Sequence, residues 1–318
     1  MQQFLLISSI FLWICSFSSS VLAGPWFTGP LLAPAGHTIP KGHTNVEVYG
    51  LDVETTGRFD ASGHLIHTPL FRSLVANPII SHGLTDWMDV QFIVPYVYNH
   101  TRNVSSHRLA DVSAVVGLQV LEQKESKWKP NLRFAITETF PTGRFEYLNP
   151  DLAGTDATGL GSYETQLALN FQLLHEVLPG HYLRTRLSLT RLYSSRVRVH
   201  GLNSYGGAVD TSGTIATGTE NDADLAFEFT LDKHWVAVME GYISEGQSTR
   251  FDGILSIGNI GGPTVTIGSD RFYEEALAPA LEYNFNENIG LIGGLWFPIT
   301  GKNTSNYMAF ILALNAFW

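Results

Sequence analysis

The stretch ADLAFEFTLD, residues 223–232, alternates strictly between two kinds of side chain. Apolar residues occupy its odd positions, while Asp224, Glu228 and Asp232 lie at even ones. Because successive side chains of a β-strand point to opposite faces, the stretch predicts a strand with one apolar and one acidic face. Helical spacing does not fit this pattern.

The same alternation recurs in residues 163–173, 276–285 and 308–318. Most of the candidate strands run for about 10 to 15 residues, which is long for a soluble sheet and close to what a tilted membrane strand needs. About twelve such strands are predicted, beginning near Thr44, Leu70, Asp86, Leu109, Asn131, Ser162, His181, Asp222, Trp235, Tyr273, Asn288 and Thr304.

The composition of the 318 residues is unusual: 44% are hydrophobic and only 15% are charged. Charged residues make up about a quarter of an ordinary soluble domain. Disorder is excluded because it needs low hydrophobicity, and a net charge of −10 argues against a general nucleic-acid partner. The apolar strand faces therefore need a solvent other than water.

The amino terminus is typical of a secretory signal peptide. Its first 23 residues carry no charged side chain, and an apolar core is followed by small residues up to Ala23, after which we place cleavage. The alternative is a lipoprotein modified at Cys15, although Ile14 before it is not small. Cleavage removes the one cysteine, so no disulfide or thiolate site is predicted.

Two fold classes suit an exported chain of this kind: a soluble all-β protein and a transmembrane barrel. The lengths of the connections favour the barrel, because outer-membrane barrels join short periplasmic turns with long outer loops. Short connections are predicted near residues 83–85, 123–130, 177–180, 232–234 and 286–287. Long ones are predicted at residues 55–69, 99–108, 141–161, 194–221 and 246–272.

We therefore predict an all-β fold for residues 44–318: a closed antiparallel transmembrane β-barrel of about twelve strands, the number being even and between about 10 and 14. Its turns would be short at the periplasmic end and its loops long at the extracellular end. Residues 24–43 contain four prolines and four glycines. They form either a periplasmic leader or a small plug, and we favour the leader because 20 residues without regular structure make a poor plug.

Aromatic residues also fit a barrel, because Trp and Tyr collect at the two membrane interfaces. The alternative is that they fill the core of a soluble sandwich. The predicted periplasmic girdle contains Trp87, Tyr182, Trp235 and Trp318. The predicted outer girdle contains Tyr96, Tyr98, Phe140, Tyr163, Tyr193, Tyr242, Tyr273 and Trp296.

Four segments carry a resemblance to a known family: GLTDWMDVQFIVPYVY (83–98), LRFAITETFPTGRF (132–145), GLGSYETQLAL (159–169) and LEYNFNENIGLIGGLWFPITGKN (281–303). They resemble the outer-membrane family named for the MetA pathway of phenol degradation, which is described as transporter-like. The resemblance implies a Gram-negative outer-membrane barrel involved with aromatic compounds, and it implies no catalytic step. The terminal Trp318 resembles the assembly signal of such barrels, which makes the barrel assembly machinery an expected partner.

With the apolar faces outward, a set of charged residues faces a narrow lumen. These charges either pair and fill the lumen or form a polar constriction that filters small solutes. The predicted lumen residues are Arg133, Arg184, Arg186, Glu164, Asp224, Glu228, Glu240 and Glu282. The histidines are scattered without companions, so neither a metal nor a cofactor is predicted.

The favoured function is a conduit or binding site for small molecules, hydrophobic or aromatic ones included. The alternative is a surface barrel with a blocked lumen, whose loops contact host molecules or lipopolysaccharide. An outer-membrane lipid hydrolase would need a Ser–His pair, and the adjacent Ser105, Ser106 and His107 lie in no recognisable hydrolase motif. No enzyme is predicted, and the expected partners are outer-membrane lipid, lipopolysaccharide and a small ligand.

Overall fold

The computed structural model describes residues 26–124, 128–256 and 265–318. Signal cleavage after Ala23 and the lipoprotein alternative at Cys15 lie outside these residues. Within them, no helix is long and apolar enough to cross a membrane.

Almost all the regular structure is β-strand, as the alternation predicts. One turn of 3-10 helix spans Pro150–Leu152. The strands are β1 Thr44–Phe59, β2 Leu65–Thr85, β3 Met88–Ile93, β4 Tyr96–Thr101, β5 Val104–Leu109, β6 Val112–Leu121, β7 Asn131–Phe140, β8 Glu164–Leu178, β9 His181–Ser194, β10 Val197–His200, β11 Ser212–Ala216, β12 Glu220–Thr230, β13 Trp235–Gly246, β14 Arg250–Ile254, β15 Phe272–Asn284, β16 Ile289–Lys302 and β17 Ser305–Phe317.

The wall is a closed barrel in which strands that follow each other in sequence pair antiparallel. It closes through β1, which pairs with β2 on one side and with β17 on the other. β3 and β4 act as one wall strand interrupted at Val94 and Pro95, and β5 and β6 as another interrupted at Ala110 and Asp111. Counted in this way, the described residues build twelve wall strands, which confirms the predicted fold class.

The two faces of the wall differ as the alternation requires. On β17, Phe310 is 52% exposed on the outer face, whereas Ile311 is 1% exposed on the inner face. The outer faces of other strands are similarly apolar, with exposed Phe92, Leu225 and Met239. Hydrocarbon is the solvent that fits such a surface, so the barrel is a transmembrane one.

The ends of the barrel also differ. At the turn end, where β1 begins and β17 ends, short turns join the strands. At the loop end, residues 141–163, 195–219 and 247–271 form long connections, as predicted. The predictions of long loops at residues 55–69 and 99–108 were wrong. The β1–β2 connection spans only residues 60–64, and β4 and β5 meet in a tight turn at Arg102 and Asn103, which both have positive φ. Most of the residues predicted as loops there belong instead to the ends of β1, β2, β4 and β5.

Three strands outside the wall form a second sheet at the loop end. β10 pairs with β11, and β11 pairs with β14, so the sheet joins two different loops. Its core consists of buried Val197, Val199 and Ile215, against which Phe145 and Phe251 pack. The loop end is thus a folded surface in its own right.

Most of the predicted girdle residues lie on the outer face. Tyr163 and Tyr193 are exposed at the loop end, and Trp87 and Trp318 at the turn end. Tyr242 and Trp296 were assigned wrongly, because both line the lumen. Their positions along the strands suit a girdle, but their inward phase does not.

The segment before β1 enters the lumen. Trp26 contacts His234 at the turn end, the chain rises to the level of Glu240, and it returns to Gly83 through a parallel bridge from Lys41. We call residues 26–41 the plug. We favoured a leader outside the barrel, but these residues lie inside it. Nothing in the sequence indicated that wall side chains accept hydrogen bonds from their backbone amides.

Candidate functional site: the plugged lumen

A cavity of about 720 Å³ lies between the plug and the wall. Its lining is mixed, and the neighbouring strands β1, β17 and β16 supply an apolar patch, which we call the apolar side. Leu51, Ile311 and Trp296 contribute to the apolar side, and Asn170 and Asp224 to the polar side. Its size falls within the range of small-molecule sites, about 300 to 1,000 Å³.

Two wall carboxylates hold the rising half of the plug. Glu240 accepts hydrogen bonds from the backbone N–H groups of Leu31 (2.5 Å), Leu32 (3.0 Å) and Ala33 (2.9 Å). Glu282 accepts from those of Thr28 (2.9 Å) and Gly29 (3.3 Å). Irregular backbone buried inside a barrel needs partners for its amides, and these carboxylates supply them.

The returning half of the plug is held on the opposite side of the lumen. Asp89 accepts from the N–H of Ile39 (2.9 Å), and Gln119 from that of Thr38 (2.7 Å). At Gly36 the backbone lies so close to Gln172 that an added Cβ would come within 2.6 Å of the Gln172 Cβ. Only glycine leaves room for this approach.

The three lumen arginines are all engaged. Arg133 donates to Asp89 (2.6 Å). Arg184 donates through two nitrogens to Glu228, which also forms an ion pair with Arg186 at 3.3 Å. All five side chains are buried. They therefore form buried ion pairs on the inner wall.

The arginines also contact the plug directly. Arg186 donates to the carbonyl oxygen of Ala33 (3.0 Å), and the guanidinium of Arg184 lies 4.2 Å from the ring centroid of Phe27. On the apolar side of the lumen, Leu31 packs into a cluster with Ile292 and Ile311. The plug thus has charged, polar and apolar contacts, none of them covalent.

Above the plug, towards the loop end, the wall carries a further acidic row on β12. Asp222 accepts from the hydroxyls of Thr190 (2.7 Å) and Tyr242 (3.0 Å). Asp224 lines the same cavity, is 6% exposed, and its Oδ1 has no hydrogen-bond partner. Among the described contacts, no amide of the plug reaches Asp222 or Asp224.

The eight predicted lumen residues all lie on the inner face but do not form one group. Glu164 lies apart at the loop end, where the hydroxyls of Ser162 and Ser194 donate to it. Asp222 and Gln119 were not predicted from the sequence, and the plug was only the less favoured alternative for residues 24–43. The inward phase of β12 contained the signal for Asp222, whereas nothing in the sequence specified what the plug would bind.

His37 is the buried titratable group of the plug. Burial, followed by the positive charges of Arg186 and Arg184, lowers its pKa to about 4. Its ring is therefore neutral at pH 7, with Nδ1 lying 3.3 Å from the carbonyl oxygen of Thr38. A proton on His37 would add positive charge beside these arginines.

The geometry gives little support to a metal site or to a hydrolytic Ser–His pair. Within residues 26–124, 128–256 and 265–318, no three His, Cys, Asp or Glu side chains come together as a metal site. Ser105, Ser106 and His107 lie in β5, where Ser106 and His107 point to opposite faces because they are adjacent in a strand.

Comparisons with known proteins show the fold. Neither a family model nor a curated protein matches the chain, so the resemblance to the MetA-pathway family stays a prediction. The chain is similar in structure to the COG4313 outer membrane channel from Pseudomonas putida F1, with a TM-score of 0.70 and 15% identity over 90% of this chain and 100% of that one. The toluene transporter TodX of Pseudomonas putida also matches, at 12% identity over 86% of this chain and 87% of that one, but its TM-score of 0.36 carries no argument.

Proposed function

We propose that the protein is a channel of the Gram-negative outer membrane whose lumen is closed by its own amino-terminal segment. The observation that carries the proposal is the plug, because it fills the lumen through separable non-covalent contacts and leaves a cavity beside it. A barrel needing only a filled interior could fill it with wall side chains alone.

The solutes we propose are small molecules, hydrophobic or aromatic ones included. The apolar half of the cavity, with Leu51, Ile311 and Trp296, would accept such molecules. The sequence resemblance to the MetA-pathway family and the fold shared with an outer membrane channel point the same way. Outer-membrane lipid, lipopolysaccharide and the assembly machinery that reads Trp318 remain proposed partners.

Removal of the plug tests the proposal. A variant lacking residues 26–40 should conduct ions in a planar bilayer, whereas the full mature chain should show closed periods. Leu314→Ala, which changes only the outer face, is the matched control. Unboiled and boiled samples on a gel would establish that each barrel is folded. A folded, plug-free barrel without conductance would contradict the channel.

A second function is favoured by one observation, the separate sheet of β10, β11 and β14. Because two loops share an apolar core there, the loop end presents a rigid surface rather than independent loops. Such a surface would suit a barrel that contacts host molecules while its lumen stays blocked. The same bilayer measurement separates the two functions, since the surface barrel shows no conductance with its plug intact and no uptake into liposomes.

A further inference from the structure

The inner wall above the plug is acidic. Unlike Glu228 beside the plug, its acids form no ion pair with an arginine among the described contacts. On β12, Glu220, Asp222 and Asp224 follow each other at every second position and so share the inner face. The nearest lumen arginine on the adjacent strand β9, Arg186, is already engaged by Glu228 and by the carbonyl of Ala33.

Asp224 is the group without a counterpart. It is only 6% exposed, it lines the cavity, and no described hydrogen bond reaches its carboxylate. Among the described ion pairs, none includes Asp224. Leaving a buried carboxylate oxygen without a donor is costly, so the site is built to receive one.

Its neighbours restrict what the donor can be. Asp222, two residues along the same face, is fixed by the hydroxyls of Thr190 and Tyr242 and adds a second negative charge nearby. A positively charged donor would gain from both carboxylates, whereas a neutral hydroxyl would gain only one hydrogen bond.

Aromatic rings lie beside this acidic pair. The ring of Tyr242 is 5.9 Å from that of Trp296, which is 5.2 Å from that of Tyr307. Trp296 lines the same cavity as Asp224, together with Leu51 and Ile311. Aromatic faces attract cations and also receive apolar groups.

We propose that the cavity above the plug binds small organic cations, namely primary amines with an apolar or aromatic body. The ammonium group donates to the Asp224 carboxylate, and the body lies against Trp296 and the apolar side. The site rests on the proposed channel only for its role in transport, because binding itself requires no opening of the plug.

The test compares phenethylamine with 2-phenylethanol, which has the same carbon skeleton and no charge, by calorimetry on the full mature chain in detergent. We expect the amine to bind about tenfold more tightly or better, the size of one charge-assisted hydrogen bond. Asp224→Asn should remove this preference, and Glu275→Gln, on the outer face of β15, should keep it.

Equal affinity of the wild-type protein for amine and alcohol would overturn the inference, whether or not the variant folds. So would an amine preference that survives in a folded Asp224→Asn variant. The channel is judged separately by conductance of the plug-free barrel: conductance without an amine preference leaves the channel standing, and an amine preference without conductance leaves the binding site standing.

Discussion

The half of the lumen beside the plug and the half above it use the same kinds of side chain differently. Beside the plug, Glu240 and Glu282 accept hydrogen bonds from plug amides, and Glu228 neutralises two arginines. Above it, Asp224 has an oxygen without a donor, and Asp222 is held by hydroxyls of the wall. Carboxylates hold the plug in one half, whereas none of the described contacts ties the acids of the other half to it.

The two halves contain the same types of acidic residue and differ in the hydrogen-bond and ion-pair partners that reach them. An acid on an inner face becomes part of the closure only where the amino-terminal backbone reaches it. Substitutions in either half test this division, and their expected effects on stability and on plug seating differ in size.

The largest effect is expected at Glu228. Glu228→Ala leaves Arg184 and Arg186 buried without their shared carboxylate, which typically costs about 3 to 5 kcal/mol. The temperature at which the folded band disappears from a gel should fall markedly. Asp222→Ala is the control from the upper half, where no arginine depends on the carboxylate, and an equal fall in both variants would contradict the comparison.

Glu240→Ala should loosen the plug without unfolding the wall. Three plug amides lose their acceptor, and an unsatisfied buried donor costs about 1 to 3 kcal/mol. A cysteine introduced at Leu32 should then react faster with a water-soluble maleimide, since the mature chain contains no other cysteine if cleavage follows Ala23. Glu245→Gln, at the loop end of the same strand, should leave the rate unchanged.

Asp224→Asn sharpens the comparison because it should leave the plug seated. No plug atom bonds to Asp224 among the described contacts, so the maleimide rate at residue 32 should match that of the parent protein. Conductance of the plug-free barrel should instead become less selective for cations, read from its reversal potential in a salt gradient. Faster labelling of residue 32 would show that the two halves are coupled.

The smallest effect concerns pH. The seated plug holds His37 with a pKa of about 4, below the ordinary value near 6.5. Between these values the released plug binds a proton and the seated plug does not, so seating weakens as pH falls from about 6.5 towards 4. The maleimide rate at residue 32 should rise over this window, and less so in His37→Gln. A rise of the same size in His37→Gln would assign the pH dependence to the wall carboxylates.

The wall was predictable because each strand repeats one simple physical signal. In β9 and β12, the outward apolar phase fixes which residues face inward, so Arg184, Glu228 and Asp224 could be placed without a structure. The girdle assignment of Tyr242 and Trp296 failed because it followed residue type, and aromatic residues suit both an interface and an apolar lumen. Residue type alone does not separate these environments.

The plug could not be predicted in the same way, because it has no period. Leu31, Leu32 and Ala33 bind the wall through backbone amides, which every non-proline residue has, so the side chains reveal nothing about this contact. The close approach at Gly36 is visible only once Gln172 lies beside it. Segments held by their backbone are the ones that sequence periodicity leaves open.

The position of the plug in the chain also constrains the order of assembly. Thr28 and Glu282 are 254 residues apart, and Leu31 and Glu240 are 209 apart. The plug therefore cannot lock into place until β13 and β15 have formed, although it precedes every strand. The segment that precedes every strand is therefore fixed only after most of the wall strands are in place, because its contacts are with residues far along the chain.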